Sequence, residues 1–196
     1  MQKTQKNVAY IDRANLHNGI QQLDWQFDYA RFRVWLNDKY HVEKAYLFLG
    51  LMPKYKDLYT RLQDQGYTLV FKEIIYDAHG KAKGNCDADV VVLAMQDAYE
   101  KRFDTVVLVS SDGDYSPLVK FLITRGTMNL VISPYETKKC SVLLKRTGVK
   151  ITYITDQKNI LQVRKEKTPD VDEPHKGLFR RKKQSITDHK KKANVI

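Results

Sequence analysis

The sequence has few of the residues that mark secreted, membrane-bound or zinc-binding proteins. Its two cysteines, Cys86 and Cys140, are too few for a disulfide framework and lack the spacing of a metal site. The five histidines are scattered, with no pair at a ligand spacing, which argues against zinc. No apolar run is long enough to span a membrane, and the polar start of the chain shows no secretory signal peptide. We therefore expect a cytoplasmic protein with no membrane partner.

Several motifs of common enzyme classes are also missing. Neither Gly-x-Gly-x-x-Gly after a strand nor Gly-x-x-x-x-Gly-Lys-Ser/Thr occurs, which disfavours dinucleotide and P-loop sites. There is no Gly-x-Ser-x-Gly elbow of the kind that carries a nucleophilic serine. An aspartyl-phosphate phosphatase would need a second aspartate two residues after Asp12, where Ala14 stands.

Acidic residues are scarcer than basic ones, and the formal net charge is +11. Such an excess usually serves to bind a polyanion, although it can also serve solubility alone. Residues 164–196 contain eleven Lys/Arg against five Asp/Glu, with two prolines, few aromatics and no apolar periodicity. This composition predicts a folded domain over residues 1–163 and a basic, disordered tail over residues 164–196.

Strand and helix patterns alternate along the domain. Apolar and β-branched runs predict strands at 7–12, 43–49, 67–75, 105–111, 127–132 and 149–154. Helical patterns begin at Asp28, Pro53, Asp87 and Tyr115, and a further helix is expected near 138–147. The alternation predicts an α/β fold of βαβ units, with a mostly parallel central sheet and helices on both faces.

The stretch from Val106 to Pro117 is the one around which the rest is organised. It begins as a continuous apolar run, typical of a strand buried on both faces. The run ends in Ser-Ser-Asp-Gly-Asp, which places Asp112 and Asp114 where a central strand passes into a helix. Ligands of open α/β sheets bind outside the carboxyl ends of the strands. The alternative is that Asp112 only caps the helix and Asp114 is a solvated turn residue.

Other carboxylates fall at comparable positions. Asp12 ends the first strand, and Asp87 and Asp89 open a helix that Asp87 is expected to cap. If the first strand neighbours the one at 105–111, Asp12 and Asp112 face each other across the crevice. Carboxylates gathered in this way repel each other unless a cation offsets the repulsion. Oxygen-only ligation suits Mg²⁺ or Mn²⁺, and an acidic pocket in a basic protein suggests chemistry on phosphodiesters.

Three blocks of residues resemble the signature blocks of NYN domains, which are PIN-like nucleases, and in particular the LabA-like group. They are Tyr-Ile-Asp-Arg-Ala-Asn-Leu at 10–16, Lys-Gly-Asn-Cys-Asp-Ala-Asp at 83–89 and Val-Ser-Ser-Asp-Gly-Asp-Tyr-Ser-Pro-Leu-Val at 109–119. The resemblance covers residues 7 to 155 and implies a PIN-like three-layer fold. It implies catalytic and metal-binding roles for Asp12, Asp87, Asp112 and Asp114, with Asn15 orienting the first carboxylate or a metal-bound water. Arg13 and Ala14 depart from the usual Asp-Gly-x-Asn block.

Three auxiliary candidates accompany this set: Asp89, Ser111 and Lys83. Asp89 stands where the family often has Glu or an apolar residue, so it is either a ligand or a solvated helix residue. Lys83 is either a contact to substrate phosphate or a solvated loop lysine. For Asn15 the alternative is a helix cap without a catalytic role. The twelve tyrosines offer rings that can stack on unpaired bases. Most of them lie on apolar faces, which favours core packing, and Tyr115 beside the acidic pocket is the exception.

These observations favour a divalent-metal-dependent ribonuclease that hydrolyses RNA phosphodiester bonds with Mg²⁺ or Mn²⁺. The alternative is a nucleic-acid-binding regulatory module of the same fold that cleaves weakly or not at all. RNA is the expected partner, with DNA an open alternative because phosphate contacts carry no sugar identity. A homodimer is a further possibility.

Overall fold

A sheet of six parallel strands forms the centre of the fold in the computed structural model, which describes residues 6–73, 75–76, 82–83 and 86–164. The strands are β1 (Asn7–Asp12), β2 (Val42–Gly50), β3 (Tyr67–Lys72), β6 (Thr105–Val109), β7 (Met128–Ser133) and β8 (Ile151–Tyr153). Their order across the sheet is β3-β2-β1-β6-β7-β8. Between β3 and β6 in the chain, β4 (Ile75–Tyr76) and β5 (Ala82–Lys83) pair as a separate antiparallel hairpin.

The connections between strands are helical. The helices are α1 (Arg13–Ile20), α2 (Tyr29–Tyr40), α3 (Lys56–Asp64), α4 (Asp87–Tyr99), α5 (Ser116–Thr124), α6 (Val142–Lys145) and α7 (Lys158–Leu161). Short 3₁₀ turns precede α3, α5 and α7. Asp28 begins α2 by accepting a hydrogen bond from the Arg31 amide, and Gly66 ends the turn after α3 with a φ of 89°.

Two hydrophobic cores lie on opposite faces of the sheet. The side chains of β1 point alternately to the two faces: Ala9 and Ile11 belong to one core, and Val8 and Tyr10 to the other. Helices α1, α2, α3 and α7 supply side chains to the first core, and α4, α5 and α6 to the second. The predicted three-layer α/β fold, with helices on both faces, is confirmed. Each large aliphatic side chain buried in this way contributes roughly 1.5–3 kcal/mol.

The strand order places the predicted acidic positions at one edge of the sheet. Strands β1 and β6 are parallel neighbours, with Ile11 paired to Val109, so Asp12 and the residues after Val109 leave the sheet side by side. From β1 the sheet continues to β2 and β3 on one side, and from β6 to β7 and β8 on the other. This is the reversal of strand order at which α/β proteins bind ligands. The expected adjacency of these two strands is confirmed.

Several predicted element boundaries are wrong. The strand expected at 105–111 ends at Val109, because the Ser110 hydroxyl accepts a hydrogen bond from the Asp112 amide and begins a turn. The strand expected at 67–75 ends at Lys72, and the helix expected at 138–147 covers only Val142–Lys145. Within the described part of the chain, no helix has both the length and the apolar composition to cross a membrane. The predicted tail lies outside the described residues, apart from Arg164.

A candidate metal centre at the carboxyl edge of the sheet

Three aspartates converge at the carboxyl edge of the sheet. Asp87, Asp112 and Asp114 each place a carboxylate oxygen within 4.8 Å of those of the other two. Asp87 and Asp112 are partly buried, and Asp114 is exposed. Two residues from the turn after β6 and one from the start of α4 therefore form a single cluster of oxygen ligands.

The turn after β6 positions two of these carboxylates. Asp112 caps the 3₁₀ turn Gly113–Tyr115, because its Oδ1 accepts a hydrogen bond of 3.0 Å from the amide of Asp114. Gly113 stands between them where any side chain would overlap the Ser141 hydroxyl at the start of α6. A side chain at position 113 would therefore displace the hydroxyl that caps α6. Asp112 therefore both caps the turn and belongs to the cluster, two roles that the sequence presents as alternatives.

Helix α4 supplies the third carboxylate. Asp87 is its first residue and Cys86 occupies the N-cap position, so the expectation that Asp87 is the cap is wrong. The partial positive charge at the start of this 13-residue helix favours a carboxylate there. Burial, together with the charge of nearby carboxylates, raises the pKa of the Cys86 thiol to about 11. The thiol is therefore protonated at neutral pH and is neither a nucleophile nor a metal ligand in that state.

Asp12 lies beside the cluster and is linked to it through Tyr115. The Tyr115 hydroxyl is 2.7 Å from Oδ1 of Asp87 and 3.3 Å from Oδ2 of Asp12. A phenol has one proton, so it donates to Asp87 in the shorter contact, and the contact to Asp12 is the weaker one. The Asp12 carboxyl is 6% exposed, and burial raises its pKa, with the charge of Asp87 acting in the same direction. Burial and the same two carboxylates also raise the pKa of Tyr115, which keeps the phenol protonated.

Asn15 connects the end of β1 to the turn after β6. Its backbone amide donates to Oδ1 of Asp12 at 3.0 Å, and its side-chain Oδ1 accepts from the amide of Ser111 at 2.9 Å. Asp12 is therefore the cap of α1, and the interpretation of Asn15 as the capping residue is wrong. With Oδ1 engaged, the amide nitrogen of Asn15 has no hydrogen bond to another described residue and is the donor that remains for a ligand. Asn15 fixes the distance between the end of β1 and the end of β6.

The Ser111 hydroxyl faces the sheet. It lies 2.8 Å from the hydroxyl of Ser133 at the end of β7. Ser133 donates its own proton to the carbonyl of Tyr135 at 2.7 Å, so Ser111 is the donor within the serine pair. Ser111 is 5% exposed and Ser133 fully buried. This chain of hydrogen bonds connects the ends of β6 and β7 and gives Ser111 a supporting position.

Part of the negative charge of the cluster is not paired with any basic side chain that the structure describes. Asp89 forms an ion pair with Lys72 at 2.8 Å and does not belong to the group of three. Asp112 and Asp114, by contrast, form no ion pair with any lysine or arginine that the structure describes. Lys83 lies in β5, and its side chain is outside the described residues. Negative charge at the turn after β6 is therefore available to a cation.

The arrangement fits a hard divalent cation. Two oxygens bound to one Mg²⁺ at roughly 2.1 Å lie at most roughly 4.2 Å apart, so the observed spacing requires only small side-chain rotations. Carboxylate oxygens are the ligands that Mg²⁺ and Mn²⁺ prefer. Asp87, Asp112 and Asp114 could hold the ion directly, and Asp12 could do so after rotation or act on a bound water. Sequence reasoning did not identify the hydroxyl of Tyr115 as the connection between these carboxylates; its position directly after Asp114 was the available signal.

Comparisons with known proteins agree with this architecture. The family model described as the NYN domain matches residues 7–158. A search of curated proteins finds no significant match. Among solved structures, the chain resembles a crystallised protein of unknown function from Vibrio parahaemolyticus RIMD 2210633, with 24% sequence identity and a TM-score of 0.65. The match covers 83% of this chain and all of the other. At this identity the likeness supports the fold alone.

Proposed function

Because the chain belongs to the NYN domain family, whose members have a PIN-like nuclease fold, we propose that it is a divalent-metal-dependent ribonuclease of the LabA-like group. The observation that carries the proposal is the convergence of Asp87, Asp112 and Asp114 within 4.8 Å at the carboxyl edge of the sheet. Three carboxylates at this spacing repel each other, and a bound divalent cation offsets that repulsion.

The proposed chemistry assigns a task to each residue. Asp87, Asp112 and Asp114 would hold Mg²⁺ or Mn²⁺, and the bound ion would activate a water for attack and offset charge on the phosphate. Asp12, whose pKa is raised by burial, is suited to accept a proton from a water positioned beside it. Tyr115 keeps Asp12 and Asp87 in a fixed relative position, and the free amide nitrogen of Asn15 can donate to a water or a phosphate oxygen.

The basic surface completes the proposal. A net charge of +11 on a chain with an acidic pocket suits a substrate that is itself a polyanion. We propose RNA as the partner, and propose that the protein acts in the cytoplasm. The second candidate, a binding module that cleaves weakly or not at all, keeps the same surface but does not use the acidic cluster.

A cleavage assay separates the two. The full chain is incubated with end-labelled single-stranded RNA or with DNA of the same sequence, in Mn²⁺, in Mg²⁺ or in EDTA. A ribonuclease shortens the RNA only when the metal is present. Binding of RNA without shortening in any metal would favour the binding module, and metal-dependent cleavage of DNA alone would contradict the assignment of RNA.

A further inference from the structure

A second concave site lies at the carboxyl edge of the sheet, the edge that also carries the metal centre. It is a groove of about 180 Å³ between the end of α1 and the loop after β7, lined among others by Gly19, Gln22, Pro134, Tyr135 and Lys139. Gly19 has no side chain where any Cβ would overlap Pro134, so α1 packs directly against this loop. The floor of the groove is therefore built by close backbone approach.

Hydrogen bonds fix the groove relative to the metal centre. On one side of the groove, helix α1 begins directly after Asp12. On the other side, the carbonyl of Tyr135 accepts a hydrogen bond from the Ser133 hydroxyl. Ser133 itself accepts a hydrogen bond from Ser111, the residue before Asp112. Burial raises the pKa of Tyr135, and the negative charge of Asp12 acts in the same direction. A ligand in the groove would therefore lie at the same edge of the sheet as the carboxylates, connected to them through Ser133 and Ser111.

The lining residues combine an aromatic ring with an uncompensated positive charge. Tyr135 is half-buried, so part of it is accessible. The ammonium of Lys139 spans the groove to the amide oxygen of Gln22 at 2.6 Å, and Lys139 forms no ion pair with the acids that the structure describes. The partner of Lys139 is neutral and leaves its positive charge unpaired, and Glu136, which also lines the groove, forms no ion pair with it among the described residues.

This combination suits one nucleotide of an unpaired strand. An aromatic ring provides a stacking surface for any base, and a lysine contacts phosphate as a point charge. The volume is below the roughly 300–1,000 Å³ of pockets that hold drug-sized molecules, so it suits one planar base. Bases of a duplex are stacked inside the helix and cannot enter such a groove.

We propose that this groove binds the base of the nucleotide adjacent to the scissile phosphate, with Tyr135 stacking on the base and Lys139 contacting the backbone. The substrate is then single-stranded RNA, and duplex RNA binds without using the groove. The proposal rests on the proposed function of the metal centre and extends it to the substrate.

The test measures binding and does not depend on cleavage. A fluorescent single-stranded RNA is titrated with the full chain in EDTA, and a series of oligonucleotides lacks one base at successive positions. Tyr135→Ala should raise Kd at least about five-fold, and Tyr135→Phe should keep Kd within about two-fold of wild type. Tyr99→Ala, which alters an exposed tyrosine on α4 at the opposite edge of the sheet, is the matched control and should change little.

The base-deleted series distinguishes stacking from a structural effect. At one position, removal of the base should weaken wild-type binding and leave the binding of Tyr135→Ala unchanged. Lys139→Gln should lower the salt dependence of binding, by about 0.7 in the log–log slope for one phosphate contact, while weakening every oligonucleotide equally. Lys101→Gln, between α4 and β6, is its control.

Three outcomes would overturn the groove assignment. The first is that Tyr135→Ala binds single-stranded RNA with the wild-type Kd. The second is that Tyr135→Ala raises Kd by the same factor for every base-deleted strand, and the third is that it raises Kd equally for single-stranded and duplex RNA. If removal of one base weakens wild-type binding but not the binding of Tyr135→Ala, and the wild-type protein never cleaves RNA, the nuclease function is refuted and the groove assignment stands. If the protein cleaves RNA in a metal-dependent way but no base shows this difference, the groove assignment is refuted and the nuclease function stands.

Discussion

The hydroxyl of Tyr115 lies 2.7 Å from Oδ1 of Asp87, although 28 residues separate them in the chain. Tyr115 ends the turn after β6, and Asp87 begins α4. The hydrogen bond therefore joins the two elements that supply the acidic cluster. A second contact of 3.3 Å links Asp12, which lies beside this cluster, to the same hydroxyl. The spacing of the carboxylates depends on a phenol that is itself fully buried.

Tyr115→Phe removes this connection without changing the shape of the ring. We predict that Mn²⁺ affinity falls about 10- to 100-fold, the usual effect of losing a group that orients a metal ligand. The free energy of unfolding should fall by about 1–3 kcal/mol, because the partly buried carboxylate of Asp87 loses its donor. Titration calorimetry with Mn²⁺ and chemical denaturation measure the two quantities.

Tyr10→Phe is the matched control. Its hydroxyl donates to the buried Asp97 at 2.7 Å, in the same kind of tyrosine–aspartate pair, but Asp97 lies in the last turns of α4. The stability loss should be similar, while Mn²⁺ affinity should stay at the wild-type value. Equal losses of Mn²⁺ affinity in both variants would mean that Tyr115 acts only through stability.

Asn15→Ala should lower activity more than stability. The variant leaves the backbone amide that holds Asp12 in place but removes the acceptor for the Ser111 amide, so the ends of β1 and β6 lose their link. We expect about a 10- to 100-fold loss of metal-dependent cleavage and a loss of about 1 kcal/mol in the free energy of unfolding. Asn18→Ala, at an exposed position of the same helix, is the control. Wild-type cleavage by Asn15→Ala would remove Asn15 from the site.

Asp12→Asn should change how stability depends on pH when the metal is removed with EDTA. The pKa of the Asp12 carboxyl is raised in the folded protein by burial, so between pH about 4 and that folded value the native state binds more protons than the unfolded state. Wild-type stability then decreases as pH rises through this range. The variant lacks this titration and should gain stability relative to wild type over the same range. Denaturation curves at several pH values in EDTA test this; a stability difference independent of pH would contradict it.

Residues 164–196 should add nonspecific affinity for nucleic acid, because they carry a net charge of +6 without an apolar pattern. Their deletion should weaken RNA binding and flatten its dependence on salt. A chain with the tail residues in scrambled order should bind like wild type, since only charge is involved. Equal affinity and equal salt dependence with and without the tail would assign the tail another role.

The sequence predicted the central layer of the fold well, because burial on both faces leaves an unambiguous pattern. Val106, Val107, Leu108 and Val109 are all fully buried, as their continuous apolar run implied. Element ends were predicted less well, since side-chain hydrogen bonds determine them. Ser110 ends β6 by accepting from the Asp112 amide, an interaction that competes with strand pairing and has no periodicity.

The acidic cluster was predictable in part. Asp112 and Asp114 follow the central strand, and the parallel sheet then determines the edge at which they lie. The support beneath them was not predictable, because it connects residues distant in the chain: Asn15 with Ser111, and Ser111 with Ser133. The sequence places Tyr115 beside the acidic pocket, but its complete burial excludes stacking on a base. For Tyr135 the available signal in the sequence is its place two residues after the end of β7.

Cleavage by Asp112→Asn tests the central claim most directly. Asparagine keeps the size of the side chain and can still cap the turn, so folding should change little. It removes a full negative charge from the cluster, so Mn²⁺ affinity and RNA cleavage should fall together, by at least about 100-fold. Binding of RNA in EDTA should stay equal or tighten, because one source of repulsion is lost.

Asp64→Asn, at the exposed end of α3, is the matched control and should cleave like wild type. The measurement is the single-turnover rate of single-stranded RNA cleavage in Mn²⁺ by the two variants and wild type, with melting temperatures recorded alongside. We predict a folded Asp112→Asn protein that binds RNA and has lost cleavage. Cleavage by Asp112→Asn at the wild-type rate would contradict the metal-dependent mechanism proposed for this site.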